Sequence, residues 1–173
     1  MSKTIPEKLI SYSVYLNGSQ YLGVADVTLP DLTAMTETIS GAGIAGEIDS
    51  PTLGHYGSMT VSITWRTLQK ESVALNAPTS HMLDFRLSQQ VHDASTSAPK
   101  TEGARVTIKG MSKNGSLGTL NVGTGTGTTN ELEVTYLKVV AGGSTIVEID
   151  KYNYKAVING VDYLAAVREQ LGM

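Results

Sequence analysis

A short glycine motif is the first feature of this sequence that could support chemistry. Residues 41–46 read GAGIAG and match the G-x-G-x-x-G pattern that cradles a dinucleotide pyrophosphate. That motif needs a parallel strand before it and a helix that begins on it. Here Asp49, Pro51 and Gly54 would interrupt any such helix. The context therefore argues against a dinucleotide site, and close backbone packing explains the glycines better.

Histidines and paired glutamates are the other candidates for chemistry. His55, His81 and His92 are far apart in the sequence and form no i, i+4 pair, as a zinc or triad site would favour. Glu131 and Glu133 share a strand face, about 7 Å apart by strand rise, a separation that two glycosidase carboxylates could have. Exposed acids on a polar strand face are commoner. The sequence predicts no catalytic residue, no cofactor and no metal site, and hence no enzyme.

Composition favours one domain with contacts to other subunits. The 173 residues fit one core, so the prediction is a single domain over residues 1–173. Cysteine is absent, and the net charge of −3, with scattered lysines and arginines, argues against a sequence-independent DNA binder. Charged residues make up only 17%, and tyrosine outnumbers phenylalanine eight to one, a bias typical of subunit interfaces. No apolar run is long enough to span a membrane, so we expect no membrane insertion.

Period-two alternation is the dominant pattern and predicts amphipathic strands. The clearest are Met59–Arg66, Ala104–Gly110 and Glu131–Val139, with weaker strands at Leu32–Ile39 and elsewhere. Apolar side chains are expected on the core face: Met59, Val61, Ile63, Trp65, Val106, Ile108, Leu132, Val134 and Tyr136. The polar face is expected to hold Thr60, Ser62, Thr64, Arg105, Thr107, Lys109, Glu131, Glu133 and Thr135.

Turns and caps delimit the remaining elements. Asn17-Gly18 and Asn159-Gly160 predict tight hairpin turns, because both residues accept positive φ. Further strands are predicted at residues 13–16, 21–27, 82–87 and 145–149. One helix is predicted from Thr67, its N-cap, to Asn76, and a second from Asp162, its N-cap, to Leu171 before Gly172. Together these elements predict a mainly β domain with one flanking helix and one short C-terminal helix.

Three segments lack periodicity and are predicted to be loops or arms: residues 41–57, 92–103 and 121–130. The first is longer than a compact domain usually leaves unstructured, which indicates that it reaches another subunit; a mobile surface loop is the alternative. Its glycines would allow close approach of another chain, and its apolar residues would supply contacts. The expected contact residues of this arm are Gly41, Gly43, Ile44, Gly46, Ile48, Leu53 and Tyr56.

The two ends of the chain resemble a known family. The sequence reads VYLNGSQYLGVADVTLPDL from Val14 and STIVEIDKYNYKAVINGVDYL from Ser144. In the order of their elements and in their residues these segments are similar to the major tail tube protein of contractile-tailed bacteriophages, the family that also builds R-type pyocin tubes. The resemblance continues through SGAGIAGEID, SMTVSITWRTLQKESVALNAP and EVTYLKVVAGG. It is weakest in residues 92–103 and 121–130, which differ in length and composition.

The resemblance implies a structural protein with a β-sandwich or partial-barrel fold. Family members form hexameric rings that stack into a tube inside a contractile sheath, through which the genome passes. It implies sheath, tape measure, baseplate and tail terminator proteins as partners, DNA that passes without specific binding, assembly in the bacterial host cytoplasm and residence in the virion. On this view the lumen wall is formed by the polar faces of four strands: Leu32–Ile39, Met59–Arg66, Ala104–Gly110 and Glu131–Val139. Two alternatives remain: the tube of a related injection machine (an R-type bacteriocin or type VI secretion), or an unrelated β-sandwich binding module.

Overall fold

In a computed structural model that describes residues 3–24 and 26–173, strands dominate the chain. In chain order they are β1 (Thr4–Leu16), β2 (Gln20–Leu22), β3 (Asp26–Thr28), β4 (Ala34–Ser40), β5 (Glu47–Tyr56), β6 (Thr60–Trp65), β7 (Ser80–Asp93), β8 (Ala98–Ser116), β9 (Thr128–Ala141), β10 (Ser144–Asp150), β11 (Lys155–Ile158) and β12 (Val161–Asp162). The helices are α1 (Lys70–Ala74), between β6 and β7, and α2 (Ala165–Leu171), at the C-terminus. This composition confirms the predicted mainly β fold class.

Ten strands form one antiparallel sheet that curls on itself. Its main path runs β12-β11-β10-β9-β8-β7-β1-β2, and β6 adds to the edge of β9 beside β10 and carries β3. A second path through the sheet therefore runs β3-β6-β9-β8-β7-β1-β2, with β3 and β2 as its outer strands. Leu22 ends β2 and Asp26 begins β3, so the chain between these two outer strands spans at most about 14 Å. The sheet therefore closes most of a barrel. The predicted strand over residues 21–27 is split at this point, and its Ala25 lies outside the described residues.

The inner face of the curled sheet holds the core. The buried cluster gathers side chains from β1, β2, β6, β7, β8, β9 and β10, and its largest members are Trp65, Phe85, Leu22, Met59, Ile63, Leu75, Leu83, Ile108, Leu132 and Ile149. In β6 burial alternates residue by residue, as the period of two requires. Val106 and Ile108 on β8 are buried as predicted.

A β-bulge in β9 overturns one detail of the predicted alternation. Lys109 pairs with Tyr136, but Gly110 pairs with Val134, so Thr135 is the extra residue. A single inserted residue moves every later side chain to the other face. Tyr136 is consequently on the polar face, and Leu137, 3% exposed, takes the core position. The prediction that Tyr136 shares the core face with Val134 was wrong.

Two of the segments predicted to be irregular are β-hairpins. Residues 47–56 of the first form β5, which pairs with β4 in a separate two-stranded sheet. Residues 92–103 are the ends of β7 and β8, which pair from Asp93↔Ala98 onward. The arm hairpin is exposed along most of both faces and shows no alternation. In the second hairpin residues 99–103 of β8 are all exposed, whereas Val91 and Asp93 on β7 are buried. The third segment is largely irregular as predicted, and only its last three residues join β9.

Both helices are shorter than predicted and begin at other residues. Gln69, not Thr67, is the N-cap of α1, in a capping box with Ser72. The N-cap of α2 is Leu164, because Asp162 ends β12; its carboxylate nevertheless accepts the Leu164 N–H. Gly172 ends α2 with φ 73° as predicted. Helix α1 flanks the sheet at β9.

Both Asn-Gly turns are confirmed. Asn17 and Gly18 have φ of 52° and 78°, and Asn159 and Gly160 have φ of 48° and 83°. Positive φ at both central residues is the geometry of a type I′ turn. The first turn joins β1 to β2 and the second joins β11 to β12. Among the described residues, neither helix has the length and hydropathy needed to cross a membrane.

Candidate functional site

The polar face of the curled sheet brings the sequence-predicted lumen residues together. Thr60 pairs with Glu133, and Ser62 with Glu131, across β6 and β9. Residues Arg105, Thr107 and Lys109 continue the same face on β8, next to β9. Thr64 is on this face at the other end of β6, while Thr135 is in the bulge, where its hydroxyl donates to the Lys109 carbonyl at 3.3 Å. Strands that are distant in sequence thus present one continuous polar surface.

One strand expected in this surface lies elsewhere. Residues 32–39 were predicted to belong to the same wall as the three amphipathic strands. The structure places most of them in β4, which is hydrogen-bonded only to β5 and not to the ten-stranded sheet. The polar surface is built instead from β1, β6, β7, β8 and β9.

Glu133 is at the centre of an ionic cluster. Its carboxylate accepts hydrogen bonds from Ser58 Oγ at 2.7 Å and Lys113 Nζ at 3.2 Å, and Lys151 Nζ lies 3.9 Å away. Desolvation raises the pKa of Glu133, but the hydrogen bonds from Ser58 and Lys113 and the charge of Lys113 outweigh it and hold the pKa below its ordinary value. Within residues 3–24 and 26–173, the Glu131 carboxylate accepts a hydrogen bond only from the Asn114 amide, at 3.4 Å. A general acid needs a raised pKa, so Glu133 does not suit that role in glycoside hydrolysis.

A second ionic cluster on the same face was missed by sequence analysis. Asp84 on β7 is 0% exposed, and its carboxylate accepts from Arg105 Nε at 2.6 Å, Arg86 Nε at 3.2 Å and Thr107 Oγ1 at 3.2 Å. Burial alone would raise the pKa of Asp84, but these hydrogen bonds and the charge of Arg105 lower it. Arg86 also stacks over the Tyr15 ring, 4.2 Å from its centroid. The sequence indicated only that residues 82–87 form a strand. It could not show that Asp84 meets Arg105, because that contact depends on the register between β7 and β8.

The predicted arm is the β4–β5 hairpin. Its tip contains Gly41, Gly43 and Gly46, with φ of 125°, 91° and 119°, values that favour glycine. The GAGIAG motif is therefore a hairpin tip with no helix after it. Ile48 and Leu53, 50% and 59% exposed, project from the arm.

The base of the arm is held against the domain. At this base Tyr56 packs against the core. In the tip Ile44 is half-buried. Both side chains are therefore less available for contacts with another subunit than predicted. Gly54, with φ 65°, lies under the Leu164 side chain, which a Cβ at position 54 would approach to 2.6 Å. The His55 and Tyr154 rings meet edge to face with centroids 6.4 Å apart. The arm is thus anchored at one end only.

The three histidines are not brought together for catalysis. His81 and His92 are eleven residues apart on β7, about 36 Å by strand rise. His81 Nε2 lies 3.1 Å from the Ala77 carbonyl, and His92 Nδ1 lies 3.9 Å from Glu7. Residues 3–24 and 26–173 contain no group of three or more His, Asp or Glu placed to hold a metal.

Comparisons with known proteins identify the family to which the chain belongs. The family model described as phage tail tube protein FII matches residues 6–172. The chain is 31% identical over 179 aligned positions to the tail tube protein of Escherichia phage P2, covering 98% of this chain and 99% of that protein. It also resembles a chain in a cryo-EM structure of the anti-feeding prophage baseplate, with a TM-score of 0.42 and 11% identity over 78% of this chain and 93% of that one.

Proposed function

Because the chain belongs to the phage tail tube protein FII family, the tube proteins of contractile tails, we propose that it forms hexameric rings that stack into the inner tail tube. Family membership makes it a structural component of the virion and not an enzyme. The formation of a hexameric ring, the stacking of rings and the passage of the genome through the tube are proposed here. The observation that carries it is the continuous polar face on a curled sheet whose opposite face is the core.

The polar face is proposed to line the channel. It is covered by the hydroxyls of Thr60, Ser62 and Thr64 and by charged side chains of both signs. The core-facing side chains of the same strands are buried: Val61, Ile63, Val106, Ile108, Leu132 and Val134. Such a surface stays hydrated and offers DNA few places to adhere. Ring closure would also cover the exposed edges of the sheet, which otherwise invite uncontrolled pairing.

Exposed apolar side chains are proposed to hold subunits together. Leu120 and Val122, in the loop between β8 and β9, are 88% and 101% exposed, and Met35 on the arm is 53% exposed. Large apolar side chains that are exposed close together, as Leu120 and Val122 are in this loop, are typical of association surfaces. We expect the arm to contact an adjacent subunit or ring, and sheath, tape measure, baseplate and terminator proteins to bind the finished tube. Tube assembly is expected in the host cytoplasm.

Cysteine labelling tests the lumen assignment directly, since the chain contains no cysteine. Ser62→Cys places one thiol in the centre of the polar face. In long tubes a small maleimide should react, while a maleimide on a polymer too large for the channel should not. The same variant, dispersed as single subunits, is the matched control and should react with both reagents. Equal reaction of the large reagent with tubes and subunits would place this face outside the channel.

Shortening the arm tests its role in assembly. Thr36 pairs with Pro51, so replacing residues 37–50 with an Asn-Gly turn removes the tip and leaves the anchored base. The subunit should remain folded because the arm shares no hydrogen-bonded sheet with the core. Sedimentation and negative-stain microscopy should show that tube growth is lost. Long tubes from the shortened chain would show that the arm is a local feature only.

A further inference from the structure

A basic recess lies in the polar face between β8 and β9. It has a volume of about 340 Å³ and includes Arg105, Thr107 and Lys109 on β8 and Tyr136 and Lys138 on β9. Thr107 pairs directly with Lys138, and Lys109 with Tyr136. The β9 bulge creates this arrangement, because it turns Tyr136 and Lys138 toward the polar face. The Lys109 ammonium lies 5.3 Å from the Tyr136 ring centroid.

The cations of this recess are only partly neutralised. In the described part of the chain no carboxylate forms an ion pair with Lys109 or Lys138. Glu148, the cross-strand partner of Lys138, is paired with Lys155 Nζ at 3.1 Å and accepts from the Tyr136 hydroxyl at 3.2 Å. The chain is acidic overall, but this patch is basic.

We propose that the recess is a weak, sequence-independent contact site for the phosphodiester backbone of nucleic acid, and that Asp84 limits its strength by holding Arg86 and Arg105. Arg105 and Lys109 are four residues apart on β8, about 13 Å by strand rise, which is longer than a single phosphate. Lys138 lies between them on β9. An extended row of cations suits a chain of phosphates better than one isolated anion.

Asp84 keeps the attraction small. Its buried carboxylate accepts hydrogen bonds from the Nε atoms of both arginines, and Arg86 also donates to the Gly18 carbonyl. Phosphates would therefore have to compete with a preformed ion pair for either guanidinium. Lys109 and Lys138 remain available. A polymer could then be contacted briefly at each subunit without being retained. The identity of the polymer as DNA rests on the proposed function, which places this face in the channel.

The test uses dispersed subunits and a fluorescent DNA duplex, and measures affinity as a function of salt. Asp84→Asn keeps the shape of the side chain but releases two arginines. Two added phosphate contacts steepen the slope of log K against log salt by about 1.8, so lowering salt fourfold should strengthen binding by this variant about twelvefold more than by the wild type. The double variant Lys109→Gln/Lys138→Gln should flatten the slope and weaken binding.

Asp93→Asn is the matched control. Asp93 is also on β7, is 3% exposed and is paired with Lys100, but it is at the far end of the strand. The same charge change there should leave DNA binding as in the wild type. Equal strengthening by Asp93→Asn, no strengthening by Asp84→Asn, or an unchanged salt slope in the double lysine variant would overturn the proposal. Tighter binding of a poly-glutamate peptide of equal charge would assign the recess to acidic protein instead.

This test is independent of the channel assignment. Binding is measured on subunits and not on tubes, so its failure leaves the tube proposal intact. Failure of the Ser62→Cys labelling test would leave the phosphate site in place but remove it from the channel. Circular dichroism of each variant checks that the subunit is folded, and the double lysine variant tests the recess even if Asp84→Asn is unstable.

Discussion

Gly110→Ala should destabilise the subunit, because Gly110 is at the point where the β9 bulge begins. A Cβ at this position would lie 2.4 Å from the Glu133 carbonyl oxygen and 3.1 Å from its carbonyl carbon. Both atoms belong to the backbone, so no side-chain rotation relieves the contact. The two strands must separate locally or the bulge must move, and overpacking of this kind costs about 1–3 kcal/mol.

Gly103→Ala is the matched control in the same strand. The nearest atom to a Cβ there is the Leu87 carbonyl oxygen at 4.0 Å, which is an ordinary contact. With no clash, replacing glycine should be neutral or stabilise by up to about 1 kcal/mol through the unfolded chain. We therefore expect the free energies of unfolding of the two variants to differ by about 1–4 kcal/mol.

Urea unfolding of dilute, unassembled subunits measures this difference, and thermal unfolding checks it. For a chain of this size a loss of 2 kcal/mol corresponds to a midpoint about 4 to 8 °C lower. Sedimentation at the same concentration must show single subunits, since assembly would add its own stability. If Gly110→Ala unfolds within about 0.5 kcal/mol of the wild type, or if Gly103→Ala is equally destabilised, the bulge does not depend on this glycine.

Three further predictions concern buried polar groups, acid and a turn. Asn130→Ala should lower the free energy of unfolding, measured in urea, by about 1–3 kcal/mol. Asn130 is fully buried and its side chain accepts a hydrogen bond from Trp65 Nε1 at 2.8 Å, so the variant leaves that indole N–H without its partner. The pKa values of Asp84 and Glu133 lie below their ordinary 3.8 and 4.5, so the ionised carboxylates stabilise the fold and their protonation removes that stabilisation. The free energy of unfolding should therefore be at its full value above about pH 5 and should fall below about pH 4. An acid titration in which Asp84→Asn loses as much stability as the wild type would contradict this. Gly160→Val should lower the free energy of unfolding by about 1–3 kcal/mol, because φ at this position is 83°. An unchanged thermal midpoint would show that the turn tolerates a side chain.

The sequence by itself determined the features that depend on neighbouring residues. The buried face of β6 could be read from alternation alone, because one face of that strand is core and the other is not. The Asn159-Gly160 turn could be read from two residues, since few others accept positive φ at both positions. For the same reason the alternation placed these polar residues on one face: Thr60, Ser62, Thr64, Arg105, Thr107, Lys109, Glu131 and Glu133. That this face lines the channel stays a prediction.

Only the tertiary structure decided the features that depend on pairing between distant strands. The arm and residues 99–103 of β8 are exposed on both faces, so these stretches carry no alternation and resemble loops in sequence. The bulge at Thr135 depends on how β8 and β9 fit together, and it moved Tyr136 from the core to the polar face. The pairing of Asp84 with Arg105 requires the register of β7 on β8. Side-chain pattern determines which residues are buried, whereas cross-strand register determines which charges meet.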